Sequence, residues 1–134
     1  MGIKIRKAKE SDSEKVWQLM HDLAVFEKYI GSFAITPEIV REKGFHKSPP
    51  DFYCIVAEDG NKIAGMLVYY FLPYTAQNKP AIYLKELYVD TPYRNQKIGE
   101  QLMNALKEEA RLHGCGRIEL NFMKGWEREK IRHG

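Results

Sequence analysis

Residues 81–103 narrow the folds open to this chain more than any other stretch, because there a β-type run turns into a helical pattern across one short loop. The apolar run from Ala81 to Val89 carries the strand formers Ile82, Tyr83, Tyr88 and Val89, and Pro92 ends it. From Ile98 onward, Leu102, Ala105, Leu106 and Ala110 recur at helical spacing, with Gly114 and Gly116 as C-cap candidates. A strand passing directly into a helix this way aims several backbone N–H groups and the positive helix end at one spot, which suits a pyrophosphate. A plain strand–turn–helix connection with a flexible glycine, Gly99, fits the same spacing, so the segment alone leaves both readings open.

The remaining chain supplies elements that a strand–helix unit can pack with. Ile3 and Ile5 alternate with basic residues as a short first strand. Ser11 and Glu14 offer a capping box for a helix over residues 12–28, whose apolar face is Val16, Leu19, Met20, Leu23 and Phe26. Thr36, Pro37 and Glu38 start a second, short helix that Gly44 ends. Residues 52–57 and 62–72 read as a hairpin around the turn at Glu58, Asp59, Gly60 and Asn61, and residues 117–122 as a last strand. The resulting order, β-α-α-β-β-β-α-β, predicts an α/β protein with a mixed sheet and helices packed on it.

Length allows one domain over residues 1–134, without an internal repeat or a compositional boundary. Hydrophobic residues at 44% and charged residues at 29% exclude a disordered or fibrous chain. No apolar stretch approaches the roughly 20 residues of a membrane span, and no leader pattern opens the chain, so a cytoplasmic protein without a membrane partner is expected. A net charge of +3, with both signs mixed along the chain, gives no basic stripe and no expectation of a nucleic-acid partner. Cys54 and Cys115 lie in apolar patterns and read as buried packing residues, and the four histidines show no metal-ligand spacing.

Arg94 and Gly99, with Tyr93 before the loop and Leu102 and Met103 in the helix, resemble the acyl-CoA loop of the GNAT acetyltransferase superfamily. The resemblance runs in order over most of residues 3–122: Ile5-Arg6, Leu23-Ala24-Val25-Phe26-Glu27, Gly44-Phe45, residues 52–58, Gly65 with Tyr69-Tyr70-Phe71, and Tyr83-Leu84. In that extent it is similar to the diamine and polyamine acetyltransferase branch. It implies the GNAT fold, acetyl-CoA as co-substrate, no metal, a small primary amine as acceptor and a homodimer. It further implies that Leu87, Tyr88 and Val89 line the pantetheine arm and that the loop from Arg94 through Asn95, Gln96, Lys97, Ile98, Gly99 and Glu100 holds the pyrophosphate. Backbone amides of the same strand would polarise the thioester carbonyl.

Amine acceptors are cations near neutral pH, so the resemblance gives Glu86 the role of contacting the amine or relaying its proton, with Glu27 and Lys85 as further substrate contacts. Three departures stand out. Lys85-Glu86 replaces a consecutive acidic pair, which argues against a long polycation. Lys97 stands where the first loop glycine is usual, and its ammonium either reinforces the anion site or hinders close approach. The branch's C-terminal helix, Phe-Tyr pair and closing strand do not occur in these 134 residues, with Trp126 and Glu127 as a remnant of a Trp-Asn motif. Tyr74, Tyr88 and Tyr93 are then candidate stand-ins for the acid that protonates the thiolate. The competing expectation is a shortened homologue that holds acyl-CoA without useful turnover.

Overall fold

Two periodicities in the sequence, two in the strands and 3.6 in the helices, resolve into a sheet covered on both faces. The computed structural model describes residues 2–74 and 76–120. The strands β1 (Lys4–Lys7), β2 (Tyr53–Asp59), β3 (Lys62–Leu72), β4 (Ala81–Val89) and β5 (Arg117–Leu120) form one sheet in sequence order. Neighbours from β1 to β4 are antiparallel, whereas β5 runs parallel to β4. That parallel step needs a crossover, and α3 (Ile98–Leu112) supplies it. The helices α1 (Ser13–Phe26) and α2 (Pro37–Arg41) precede β2. The expected α/β architecture and element order are what the fold contains; the expected end of β5 beyond Leu120, with Trp126 and Glu127, lies outside the described residues.

Alternation sorts the strand residues between two layers. Cys54, Val56, Met66, Val68 and Tyr88 pack with Val16, Leu19, Met20 and Leu23 of α1 and Val40 of α2. Ile55, Ala57, Leu67, Tyr69, Leu84, Leu87 and Val89 pack with Ile98, Leu102, Met103, Leu106 and Ala110 of α3. Ile98, Leu102 and Leu106 are at most 1% exposed, and burying each such side chain contributes about 1.5–3 kcal/mol. Gly65 sets how closely α3 lies on the sheet. A Cβ there would stand 3.1 Å from the Tyr88 carbonyl oxygen and 3.4 Å from side-chain carbons of Ile98 and Leu102, so glycine lets the first turns of α3 settle against the end of β4 without pushing these neighbours back by a few tenths of an ångström.

Several local expectations are corrected. The Ser11/Glu14 capping box does not form, because Asp12 is taken by β1: Arg6 donates to its carboxylate at 2.7 and 3.1 Å, and the Lys9 amide donates at 2.7 Å. A 3₁₀ turn, Glu10–Asp12, therefore precedes α1, and Asp12 is its N-cap residue. Gly44 does not terminate α2; it sits within a π turn, Glu42–His46, where a Cβ would meet the Phe52 ring at 3.0 Å. Gly116 is no C-cap either, since its amide bonds Pro80 O of the preceding loop, while Gly114 at φ +66° turns the chain after α3. Phe26, at the end of α1, is exposed rather than core, and Cys115 is half-buried while Cys54 is buried.

Burial pushes the Asp12 carboxyl up, but the Arg6 and Lys9 hydrogen bonds outweigh it and hold the group below its ordinary value. Its folded value thus lies below its unfolded value, so the stabilisation is complete above the ordinary aspartate range and is lost as pH falls through the folded value. Asp12→Asn is expected to lower the unfolding free energy by about 3 kcal/mol at neutral pH, since it leaves Arg6 short of a partner. In denaturant titrations the gap to wild type closes below about pH 4; a gap that stays constant across that range refutes the assignment.

Candidate active site

β4 carries one residue more than β3 between their shared registers: Val68 pairs with Glu86 and Tyr69 with Leu84, leaving Lys85 as the bulged residue. Leu84 and Leu87 both belong to the α3 layer. Lys85 and Glu86 between them line a pocket of about 300 Å³ on the α1 side, with Met20, Tyr29, Phe33, Phe52 and Tyr70 among its walls. Glu86 Oε1 is buried there without a hydrogen-bond partner among the described residues. Burial raises the Glu86 carboxyl above the ordinary glutamate value, against a smaller pull downward from Lys85. A carboxylate so placed is a ready proton acceptor for a cation that enters the pocket.

Glu27 does not line this pocket; it is the residue after α1, and its amide bonds Leu23 O. Tyr29 links it to the site. Burial first, then the charges of Glu86 and Glu27, push the Tyr29 phenol up to about 12. Tyr29 and Tyr70 are pocket residues that the sequence did not single out. For Tyr70 the signal was available, since it continues the Met66, Val68 alternation on the α1 side. Tyr29 follows the end of α1 in a segment without periodicity, so nothing local marked it. The three tyrosines that were singled out lie elsewhere: Tyr74 is 71% exposed, Tyr93 donates to Asp59 at 2.7 Å, and Tyr88 is core beneath Arg94.

Beyond the pocket, β4 leads to the loop before α3. Leu87, Tyr88 and Val89 are buried, so their side chains are core and only their backbone is left to meet a ligand. Among the described residues, β5 pairs with Ala81–Leu84 alone, and no strand flanks residues 85–89 on that side. Arg94 turns inward: its Nε donates to Val89 O at 2.9 Å, and its guanidinium lies over the Phe26 and Tyr88 rings at 5.1 and 5.2 Å. Arg94 therefore ties the loop to β4 and to the end of α1 with its side chain.

Asn95 and Lys97 both adopt positive φ, 67° and 63°, and Lys97 is the residue before α3. Lys97 in the left-handed region shows physically why glycine suits that position. Its side chain is exposed, as are those of Asn95 and Gln96. The first turn of α3 leaves the amides of Ile98, Gly99 and Glu100 without intrahelical acceptors, since the helical ladder begins with the Gln101 amide donating to Lys97 O at 3.1 Å. Gly99 faces open space, with no heavy atom within 4 Å of where a Cβ would stand. Successive amides, alternating left-handed residues and a bare Gly99 make an anion cradle that fits the pyrophosphate of a CoA ester. Among the described residues, no group of three or more His, Cys, Asp or Glu could hold a metal ion, and no helix is long and apolar enough to cross a membrane.

Comparison with known proteins bears on the chemistry. Residues 16–127 match the acetyltransferase (GNAT) family model. A thialysine N-epsilon-acetyltransferase of Mus musculus is 32% identical over 136 residues, covering 96% of this chain and 78% of the relative. An aminoglycoside acetyltransferase from an uncultured soil metagenomic sample superposes with a TM-score of 0.76 at 27% identity, covering 95% of this chain and 82% of that one. The ribosomal-protein-alanine N-acetyltransferase of Brucella melitensis reaches the same TM-score at 16% identity, over 98% and 88% of the two chains, a likeness of fold alone.

Replacing the left-handed Lys97 tests the loop conformation. Lys97→Gly is expected to raise the unfolding free energy by about 0.5–1 kcal/mol, because glycine takes that φ without the Cβ clash. Chemical denaturation showing a loss instead refutes the left-handed assignment.

Proposed function

This chain belongs to the GNAT acetyltransferase family and is an N-acetyltransferase, and we propose that it moves the acetyl group of acetyl-CoA to a primary amine of a small molecule seated beside Glu86. The observation that carries this reading is the Glu86 carboxylate, with Oε1 buried and lacking a hydrogen-bond partner among the described residues, in a pocket of about 300 Å³ on the strand that runs on to the anion cradle. Relatives named for thialysine acetylation and for aminoglycoside acetylation, both amine acceptors, support it and favour an enzyme over a CoA-holding homologue.

In this reading the amides of Ile98, Gly99 and Glu100 hold the pyrophosphate, with Lys97 at the rim. The open backbone of residues 87–89 receives the pantetheine arm. Acetyl-CoA supplies the activated acyl carbon as a thioester. An ammonium entering the pocket meets Glu86, whose pKa, raised by burial, makes it a better proton acceptor than an exposed glutamate, and transfer of the proton leaves a nucleophilic amine. The nitrogen lone pair forms the new C–N bond, the C–S bond breaks with its electrons leaving on sulfur, and the second nitrogen proton ends on the thiol. Tyr29, whose phenol stays protonated, is placed to donate a hydrogen bond within the pocket. The reading also includes a homodimer formed across β5, one of the two edge strands among the described residues. Light scattering that finds only a 15.6 kDa species at micromolar concentration overturns that part.

The test is acetyl transfer to a panel of spermidine, putrescine, lysine, thialysine and an aminoglycoside, read by product mass. Product from at least one amine, above the uncatalysed background, supports the reading; no product from any of them overturns it. Glu86→Gln is expected to lower kcat/KM by about 10²-fold. The acid limb of the wild-type pH profile should lie above 4.5, with the rate falling as Glu86 becomes protonated, and should vanish in the variant. Because the folded value is raised, ionised Glu86 weighs against the fold at neutral pH, so the variant should be at least as stable as wild type. Gly99→Ala gives a second check: a stability unchanged or raised by up to about 1 kcal/mol, together with weakened acetyl-CoA binding by calorimetry. Unchanged affinity removes the cradle from the reading.

A further inference from the structure

β4 delivers two neighbouring side chains of opposite charge to one cavity. In a regular strand Lys85 and Glu86 would face opposite sides of the sheet. The extra residue opposite Val68 and Tyr69 breaks the alternation, so that two successive positions fall between Leu84 and Leu87, both of which belong to the α3 layer. Lys85 and Glu86 accordingly line the same pocket, together with Tyr29, Phe33 and Tyr70. The charge of Lys85 is felt at Glu86, where it opposes the effect of burial.

The aromatic and apolar walls leave few polar groups to orient an acceptor. An acceptor with only amines meets an attractive carboxylate and a repulsive ammonium one residue apart, and the like charge counts against it. An acceptor with one amine and one carboxylate meets an opposite charge at each end. Resting on the amine-acetylation reading, we propose that Lys85 binds a carboxylate on the acceptor, so that this pocket selects an amine that also carries a carboxylate over a simple diamine or polyamine. Glu86 takes the ammonium and Lys85 the carboxylate, and the bulge is the device that sets both on one side.

The matched probes are L-lysine and cadaverine, which share both amines and differ only in the carboxylate. Wild-type protein is expected to favour lysine by about tenfold or more in kcat/KM and in affinity measured by calorimetry with CoA present. Lys85→Gln should bring both ratios close to one, Lys85→Arg should keep them, and Lys85→Glu should turn the preference toward cadaverine. Equal kcat/KM and equal affinity for the two probes in wild type overturn the proposal, as does a lysine preference that survives in Lys85→Gln. Acetylation of cadaverine as fast as lysine leaves the amine-acetylation reading standing while overturning the role of Lys85. A lysine preference in binding that Lys85→Gln abolishes supports the role of Lys85 even where neither probe is turned over, a result that counts against the reaction alone. Thermal unfolding of each variant within a few degrees of wild type confirms that the comparison is between folded proteins.

Discussion

The one extra residue in β4 shapes more of this molecule than any other single feature. A sheet buried on both faces demands strict alternation, since a slip of one position moves every side chain to the opposite layer. β4 keeps its register with β3 on both sides of Lys85 by absorbing the slip at that point. The strand can then place Leu84 and Ile82 against α3 before the bulge, and Leu87 and Val89 against α3 after it. The two charged residues between them are turned to the α1 side, where the pocket lies.

Around that point the protein tolerates arrangements that cost it stability. Glu86 is held mostly out of water with one oxygen unpaired, which raises the free energy of its ionised form. Lys97 occupies a left-handed conformation that a glycine would take more easily. Both costs fall on the pocket and loop of the strand–loop–helix unit, while buried contacts stabilise its helix and the opposite edge of the sheet. The α3 stripe of Ile98, Leu102 and Leu106 and the Arg6–Asp12 pair hold the two faces of the sheet in place. Arg94 connects the two regions: bound to Val89 O and stacked on Phe26 and Tyr88, it fastens the loop to the framework. Local strain at a site persists only where its surroundings over-determine the conformation.

Where the sequence read correctly, the physics was local. The hairpin turn at Gly60 and Asn61, the Thr36 cap that accepts from the Ile39 amide, and the α3 stripe each depend on residues a few positions apart. Where it misread, a distant group intervened. Ser11 and Glu14 satisfy the capping pattern, yet Arg6 from β1 claims Asp12 and moves the helix start. Gly44 looks like a helix stop, but its lack of a side chain makes room for the Phe52 ring, which stands just before β2. The tyrosines proposed as acids were chosen by type and neighbourhood in the chain, whereas Tyr29 and Tyr70 reach the pocket through the packing of α1 against the sheet.

By itself the sequence determined the element order, the strand–loop–helix unit and the family, because periodicity, turn chemistry and an in-order resemblance are properties of the chain as written. It also supplied the opposed charges of Lys85 and Glu86, though without saying that they share a face. Only the tertiary structure decided that. Alternation along an isolated strand puts adjacent residues on opposite sides, and the position of a bulge follows from how two strands must pair to keep both faces buried. Burial likewise belongs to the assembled layers: the Glu86 carboxyl is raised above its ordinary value because α1 and the segment carrying Tyr29 and Phe33 close over it, and desolvation is set by what surrounds a group in space rather than in sequence.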